Sequence, residues 1–164
     1  MKKSALHLFA LLFVLSSFSP PAKGVSYVGN QGKITATFPS EYTNSARDGE
    51  AYTTTQATCT MDEQSYMISY TVHESDLSQT ENLEDVSLNA FANAIGANIQ
   101  SKETWKSKGL EGVKARMHSD ESDAYIDYIV VFAGKVQYQF ACYALGESWN
   151  EKKAKAFFKT IKVQ

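Results

Sequence analysis

The longest apolar run after the first 20 residues spans residues 124–143, with the sequence AYIDYIVVFAGKVQYQFACY. Its Tyr, Phe, Val and Ile content around Gly134 predicts one β-hairpin at the centre of a sheet. We expect a three-residue loop at residues 133–135, because a slip of one residue would exchange the two faces of a strand. That register pairs apolar residues: Phe132 with Val136, Val130 with Tyr138, Tyr128 with Phe140, and Ile126 with Cys142. One face of the hairpin is expected to be strongly buried.

Period-two alternation predicts further strands on both sides of this hairpin. Residues 25–38 form two short strands around a turn at residues 30–32, and Pro39 ends the second strand because proline cannot donate to a ladder. Residues 41–50 are polar and predict a loop. Further strands are expected at residues 51–60, 66–72, 102–108 and 113–117. In the last of these, Lys114, Arg116 and His118 lie on the solvent-exposed face.

Two segments have helical periodicity instead. Asn82 is a candidate N-cap for a helix whose apolar stripe is Leu88, Phe91, Ala92, Ile95 and Ile99. Residues 148–151 match a capping box before a second helix with Ala154, Phe157, Phe158 and Ile161 on its apolar face and lysines on its wet face. A short final strand is expected at residues 161–163. Because the strands come in antiparallel runs rather than in βαβ units, the fold class is α+β with two main helices.

The first 24 residues predict a signal peptide. Lys2 and Lys3 precede a short apolar run at residues 6–15, and small residues at 22 and 24 form a cleavage site. We therefore expect an exported protein, periplasmic or secreted, with a single domain at residues 25–164 and no membrane span after cleavage. An uncleaved anchor is the alternative, which the shortness of the apolar run disfavours.

The charge balance bears on the class of partner. The chain has 16 Lys+Arg and 18 Asp+Glu, and three of the lysines lie in the first 24 residues. Residues 25–164 thus carry 13 basic and 18 acidic side chains, a formal −5. This balance argues against a nucleic-acid-binding protein, which would show a basic stripe.

The chain has two cysteines, Cys59 and Cys142, and both lie in predicted strands. Outside the cytoplasm two cysteines commonly form one disulfide, which would close a long loop and add about 4 kcal/mol of stability. The alternative is two buried free thiols that behave as small apolar side chains.

Several motifs together resemble the PsbP-like family, which includes the photosystem-associated PsbP proteins and the Ran-binding Mog proteins. A GKITATFP start at residues 32–39 precedes a Thr-rich strand and a Tyr-x-Ile-x-Tyr strand at residues 66–70. GLEGV at residues 109–113, the aromatic hairpin and FFKTI at residues 157–161 follow. The resemblance covers most of residues 27–163. It implies an α/β/α sandwich around a twisted antiparallel sheet and a non-catalytic binding or assembly role, without naming a partner.

The sequence contains no Gly-x-Ser-x-Gly elbow, phosphate loop or His-Glu-x-x-His motif. His73 and His118 have no neighbouring Cys or second His at metal-ligand spacing. His118 lies near Asp120, Glu121 and Asp123, but an acidic, solvated turn explains this cluster better than a metal site. We therefore predict no enzyme, no cofactor and no metal. The alternative is a secreted hydrolase with a scattered site, in which His73 or His118 lies beside a carboxylate.

Four aromatic residues in loops or half-exposed strands are candidate binding residues: Tyr42, Tyr52, Trp105 and Trp149. Tyrosine and tryptophan anchor many interfaces, although each of these also fits ordinary packing at the edge of the core. The leading hypothesis is an exported binding or assembly module that contacts a protein or a small ligand through a groove between sheet and helix. A passive envelope protein with no specific ligand is the third possibility.

Overall fold

The computed structural model describes residues 24–164, so the predicted signal peptide lies outside the described residues apart from Gly24. The described part of the chain forms ten strands and two helices. They are β1 (Val25–Gly29), β2 (Ile34–Phe38), β3 (Thr43–Asp48), β4 (Tyr52–Met61), β5 (Gln64–His73), α1 (Leu83–Ala94), β6 (Asn98–Ser107), β7 (Leu110–Ser119), β8 (Ala124–Ala133), β9 (Val136–Leu145), α2 (Glu151–Thr160) and β10 (Lys162–Val163). None of the helices within residues 24–164 has the length and apolar character needed to cross a membrane.

Seven strands form one antiparallel sheet in the order β3-β4-β5-β9-β8-β7-β6, so β3 and β6 are its two edges. A second sheet has the order β1-β2-β10, in which the final strand pairs with β2. The α+β class, the largely antiparallel sheet and the two helices are thus confirmed.

The large sheet buries both of its faces. On one face Ile129, Phe140 and Tyr66 pack under α2 and the small sheet, which contribute Phe157 and Phe38 among others. On the opposite face Met117, Tyr128 and Val130 pack under α1 through Leu88 and Ala92. Because side chains of a strand alternate between faces, β8 supplies both clusters from consecutive residues.

The central hairpin has a different register from the predicted one. Ala133 pairs with Val136, so the loop is the two-residue turn Gly134-Lys135, and Tyr128 lies opposite Ala141. Gly134 has φ +57°, a left-handed conformation that glycine adopts without strain. The prediction of one buried face was also wrong. Since both faces are buried, the apolar pattern does not distinguish the two registers.

Two element predictions and one capping prediction were wrong. The predicted loop at 41–50 contains β3, whose six residues are all exposed. Helix α1 ends at Ala94, because Gly96 takes φ +62° in a left-handed helix end, and Ile99 therefore belongs to β6. The side chain of Asn150, not Ser148, caps α2 by accepting a hydrogen bond from the Lys153 amide.

The two cysteines are free and buried. Cys59 and Cys142 both pair with Tyr66, from β4 and β9 on either side of β5. Two strand spacings of about 4.8 Å put their Cα atoms about 9.6 Å apart, whereas a disulfide requires less than about 7 Å. The disulfide is therefore not formed, because the register places a tyrosine between the two thiols.

Candidate functional site

In the edge strand β6 only Trp105 and Ser107 are partly buried and the other residues are exposed, so this edge of the sheet is largely uncovered. On β7 the apolar residues Val113, Ala115 and Met117 point toward α1, as their alternation predicts. Lys114 and Arg116 therefore face the side of the sheet where α2 lies. The result is an open groove between the sheet and this helix.

Two adjoining concavities between the sheet and the helix make up this groove, which we call the α2–β6 groove, and a third, lined by residues of α2 alone, continues it. Their volumes are about 300, 430 and 560 Å³. The first has a polar lining that includes Ser101, Glu103, Lys114, Arg116, Asp127 and Glu151. The second adds an apolar floor of Trp105, Ile129, Phe158 and Ile161, and the third follows the lysine-rich surface of α2.

The polar end of the groove is organised by a buried ion pair. Asp127 is 1% exposed, and Arg116 binds it with two hydrogen bonds, Nε to Oδ1 at 2.7 Å and Nη2 to Oδ2 at 2.9 Å. The same guanidinium lies 3.2 Å from Glu151 and 5.6 Å from the ring centre of Trp149. The hydrogen bonds to Asp127 raise the pKa of Arg116 above its ordinary value. Arg116 is thus a fixed, permanent cation at this end.

Two lysines of the groove form ion pairs with partly exposed glutamates. Lys114 binds Glu103 at 2.7 Å, and Lys155 binds Glu151 at 2.6 Å. Their hydrogen bonds lower the pKa of both glutamates, so these remain ionised at neutral pH. Exposed pairs of this kind stabilise a protein by at most about 1 kcal/mol, so an incoming charged group can displace them.

The charge of the groove is opposite to that of the protein. Five basic side chains lie on this side of the sheet: Lys114, Arg116, Lys152, Lys155 and Lys159. Lys102 and Lys106 point to the opposite face, where they pair with Asp85 and Glu111. Three acidic side chains join the five basic ones: Glu103, Asp127 and Glu151. These side chains therefore give the groove a formal charge of +2, whereas residues 24–164 together carry 13 basic and 18 acidic side chains, or −5. The groove favours anions.

The structure brings two of the four candidate aromatic residues to this groove. Trp105 lines its floor opposite Gly112, where an added Cβ would clash with Val131. Trp149 lies beside Arg116 and stacks on Tyr125 at a centroid distance of 6.2 Å.

The other two candidates lie elsewhere. Tyr42 packs against the core rings of Tyr27 and Phe38 at 5.4 and 5.0 Å. Tyr52 lies 6.3 Å from His73 at the start of β4.

Sequence reasoning placed the basic residues of the groove on solvent-exposed faces but did not identify them as part of a site. A signal existed in Asp127, an acidic residue inside an otherwise apolar strand. A buried carboxylate requires a cationic partner, and the wet face of the neighbouring strand offered Arg116. The lysines of α2 carried no such signal, because a lysine-rich helix face is ordinarily just solvated.

The two histidines lie apart from the groove. His118, near the end of β7, contacts Asp120 through Nδ1 at 2.9 Å and Asp123 through Nε2 at 3.1 Å, and both aspartates lie in the exposed turn between β7 and β8. These hydrogen bonds raise the pKa of His118. His73 is half-buried, and its Nε2 has no hydrogen-bond partner among residues 24–164. The same residues contain no group of three or more His, Cys, Asp or Glu arranged to hold a metal ion.

A separate apolar pocket of about 320 Å³ lies beneath the end of α1. Phe91, Ile95 and Ile126 line it together with Met67 and Tyr143. It lies on the face of the sheet opposite the α2–β6 groove and has no charged residue in its lining.

No protein-family model and no curated protein matches the sequence. Among solved structures, the chain is similar to cyanobacterial PsbP (CyanoP) from Synechocystis sp. PCC 6803, with a TM-score of 0.62 and 11% identity over 87% of this chain and 94% of that chain. A crystal structure from Bacteroides thetaiotaomicron gives a TM-score of 0.43 at 11% identity, over 85% of this chain and 48% of that one. The first likeness defines a PsbP-like fold, which confirms the predicted resemblance at the level of the fold alone.

Proposed function

We propose that this protein is an exported, non-catalytic binding or assembly module that holds its partner in the α2–β6 groove. The observation that carries the proposal is the groove itself, where a fixed cation, displaceable lysines and an apolar floor lie side by side. Its separate concavities are as large as those in which proteins hold ligands, about 300–1,000 Å³. The likeness of the fold to cyanobacterial PsbP supports a module of this class.

The arrangement of nucleophiles and bases supports a binding role over the hydrolase alternative. Burial raises the pKa of Cys142, which disfavours the reactive thiolate. His118 lies beside carboxylates, as the alternative requires, but it lies near the end of β7 and lines none of the concavities of the groove. Arg116 and Asp127 satisfy one another in a bidentate pair and leave the carboxylate no free role as a base.

Native mass spectrometry tests this proposal on protein recovered from the extracytoplasmic fraction of its own host. We expect a discrete added mass that denaturation removes, and a chain shortened near Gly24 if the signal peptide is cleaved. A bare chain from several growth conditions would contradict the binding role and favour the passive envelope protein. Turnover of generic ester or peptide substrates that is lost in His118→Gln would favour the hydrolase.

A further inference from the structure

The carboxylates already inside the α2–β6 groove show where an incoming acid would bind. Glu103 and Glu151 place their oxygens on Lys114 and Lys155 at 2.7 and 2.6 Å, and their side chains are 67% and 44% exposed. Exposed ion pairs of this kind are weak, so a ligand carboxylate can replace these glutamates. Within residues 24–164, Lys159 has no carboxylate within ion-pair distance, so it can bind a further carboxylate of a ligand.

The groove is long rather than round. Its lining follows β6 from Ser101 to Ser107, six steps of about 3.3 Å, or about 20 Å. Because β6 is an edge strand, the groove is open along its side, and a chain can enter without being threaded. This length matches an extended polypeptide of about six residues.

The floor and the rim of the groove differ in chemistry. Trp105, Phe158 and Ile161 form an apolar floor, and Lys114 and Lys159 line the same concavity. An extended peptide presents alternate side chains to opposite sides, so it can place apolar residues on the floor and acids toward the lysines. An acidic polysaccharide has no aliphatic side chains that alternate with its acids to fill this floor, and a bilayer surface is too flat to enter the groove.

We propose that the α2–β6 groove binds an extended segment of a partner protein in which acidic and apolar residues alternate. This inference rests on the proposed function and names the class of its partner. Glu103 then acts as an internal competitor for the site on Lys114, so its removal should strengthen binding.

Tryptophan fluorescence provides the measurement, because the only two tryptophans of the chain, Trp105 and Trp149, both border the groove. The probe is a six-residue peptide of alternating glutamate and leucine with blocked ends. We expect saturable binding that weakens several-fold between 50 and 200 mM salt. Salt screens exposed charges, with a Debye length of about 10 Å at 0.1 M. An alternating lysine–leucine peptide should not bind.

Matched variants locate the site. Lys159→Glu should weaken binding of the peptide about tenfold, which corresponds to about 1.4 kcal/mol. Arg47→Glu makes the same charge change in β3, at the opposite edge of the sheet, and should leave the affinity unchanged. Glu103→Gln should tighten binding by a few-fold, which a merely structural role of this exposed residue would not produce. Circular dichroism checks that each variant is folded.

Several outcomes would overturn the inference. They are no binding of the peptide, equal weakening by the Arg47 variant, or binding of polygalacturonate or phosphatidylglycerol vesicles in place of the peptide. The host-derived adduct separates this failure from that of the proposed function. If the wild-type protein carries an adduct but does not bind the peptide, only the acidic-segment inference is refuted. If the protein carries no adduct and binds none of the probes, both the inference and the proposed function are refuted.

Discussion

The ion pair between Arg116 and Asp127 gives the sharpest test of how the polar end of the groove is built. Asp127 is 1% exposed and takes both of its hydrogen bonds from Arg116. Arg116→Met removes the cation, keeps a similar volume and leaves a buried carboxylate without its partner. Breaking a buried pair in this way costs about 3–5 kcal/mol. The Arg116 side chain is 27% exposed, so water reaches the pair from the groove, and we expect the lower end, about 3 kcal/mol.

Lys114→Met is the matched control on the same strand and the same face. It makes the same change of charge, but its partner Glu103 is 67% exposed. Water replaces the lost partner there, so the expected cost is below about 1 kcal/mol. The double variant Arg116→Met/Asp127→Leu removes both charges together and should recover most of the stability that the single variant loses.

Urea unfolding followed by circular dichroism measures all three variants. For Arg116→Met the urea midpoint should fall while the slope of the transition is unchanged. Thermal unfolding of the same variant should show a loss of about 10 °C in Tm, since about 1 kcal/mol corresponds to a few degrees in a domain of this size. Equal losses for Arg116→Met and Lys114→Met would refute the reasoning. So would a double variant that is no more stable than Arg116→Met alone.

Three further predictions concern other parts of the fold. Cys59 and Cys142 should both react with a thiol reagent after unfolding and only slowly before it, because they are buried on either side of Tyr66; a mass two protons light would contradict this. The pKa of His118 is raised, so its protonated form should stabilise the fold fully below about pH 6.5 and lose that effect as pH rises through the higher folded-state pKa. Tm measured against pH should therefore differ in slope between wild type and His118→Gln, and identical slopes would exclude this role. Asn150→Ala should cost about 1 kcal/mol as a lost N-cap. Ser148→Ala should cost less in the same urea assay. A larger cost for Ser148→Ala than for Asn150→Ala would instead support the predicted capping box.

Local patterns were sufficient for the elements that bury one face. The alternation of Val113, Ala115 and Met117 against polar neighbours predicted β7, and the spacing of Phe157 and Phe158 predicted α2. Strand β3 escaped prediction because all its residues are exposed, and it is held by backbone pairing with β4 and a few exposed polar side-chain contacts rather than by an apolar face. The hairpin register also escaped, since a strand buried on both faces has no polar side to fix it.

The candidate site could be predicted only in fragments. Trp105 and Trp149 were predicted as candidate binding residues in loops or half-exposed strands, and the lysines of α2 as a solvent-exposed face. Their meeting depends on α2 lying over the sheet beside β6 and β7, which no local pattern encodes. The total charge also concealed the groove, because a formal −5 averages a basic surface with a more acidic remainder.

Amide chemical-shift mapping tests the central claim of a binding groove most directly. The glutamate–leucine peptide would be titrated into isotopically labelled protein spanning residues 25–164. The account predicts that the largest shifts fall on β6, β7 and α2 and on the indole of Trp105, with β3 and the apolar pocket beneath α1 unchanged. Shifts concentrated at that pocket, or no shifts at millimolar peptide, would contradict it.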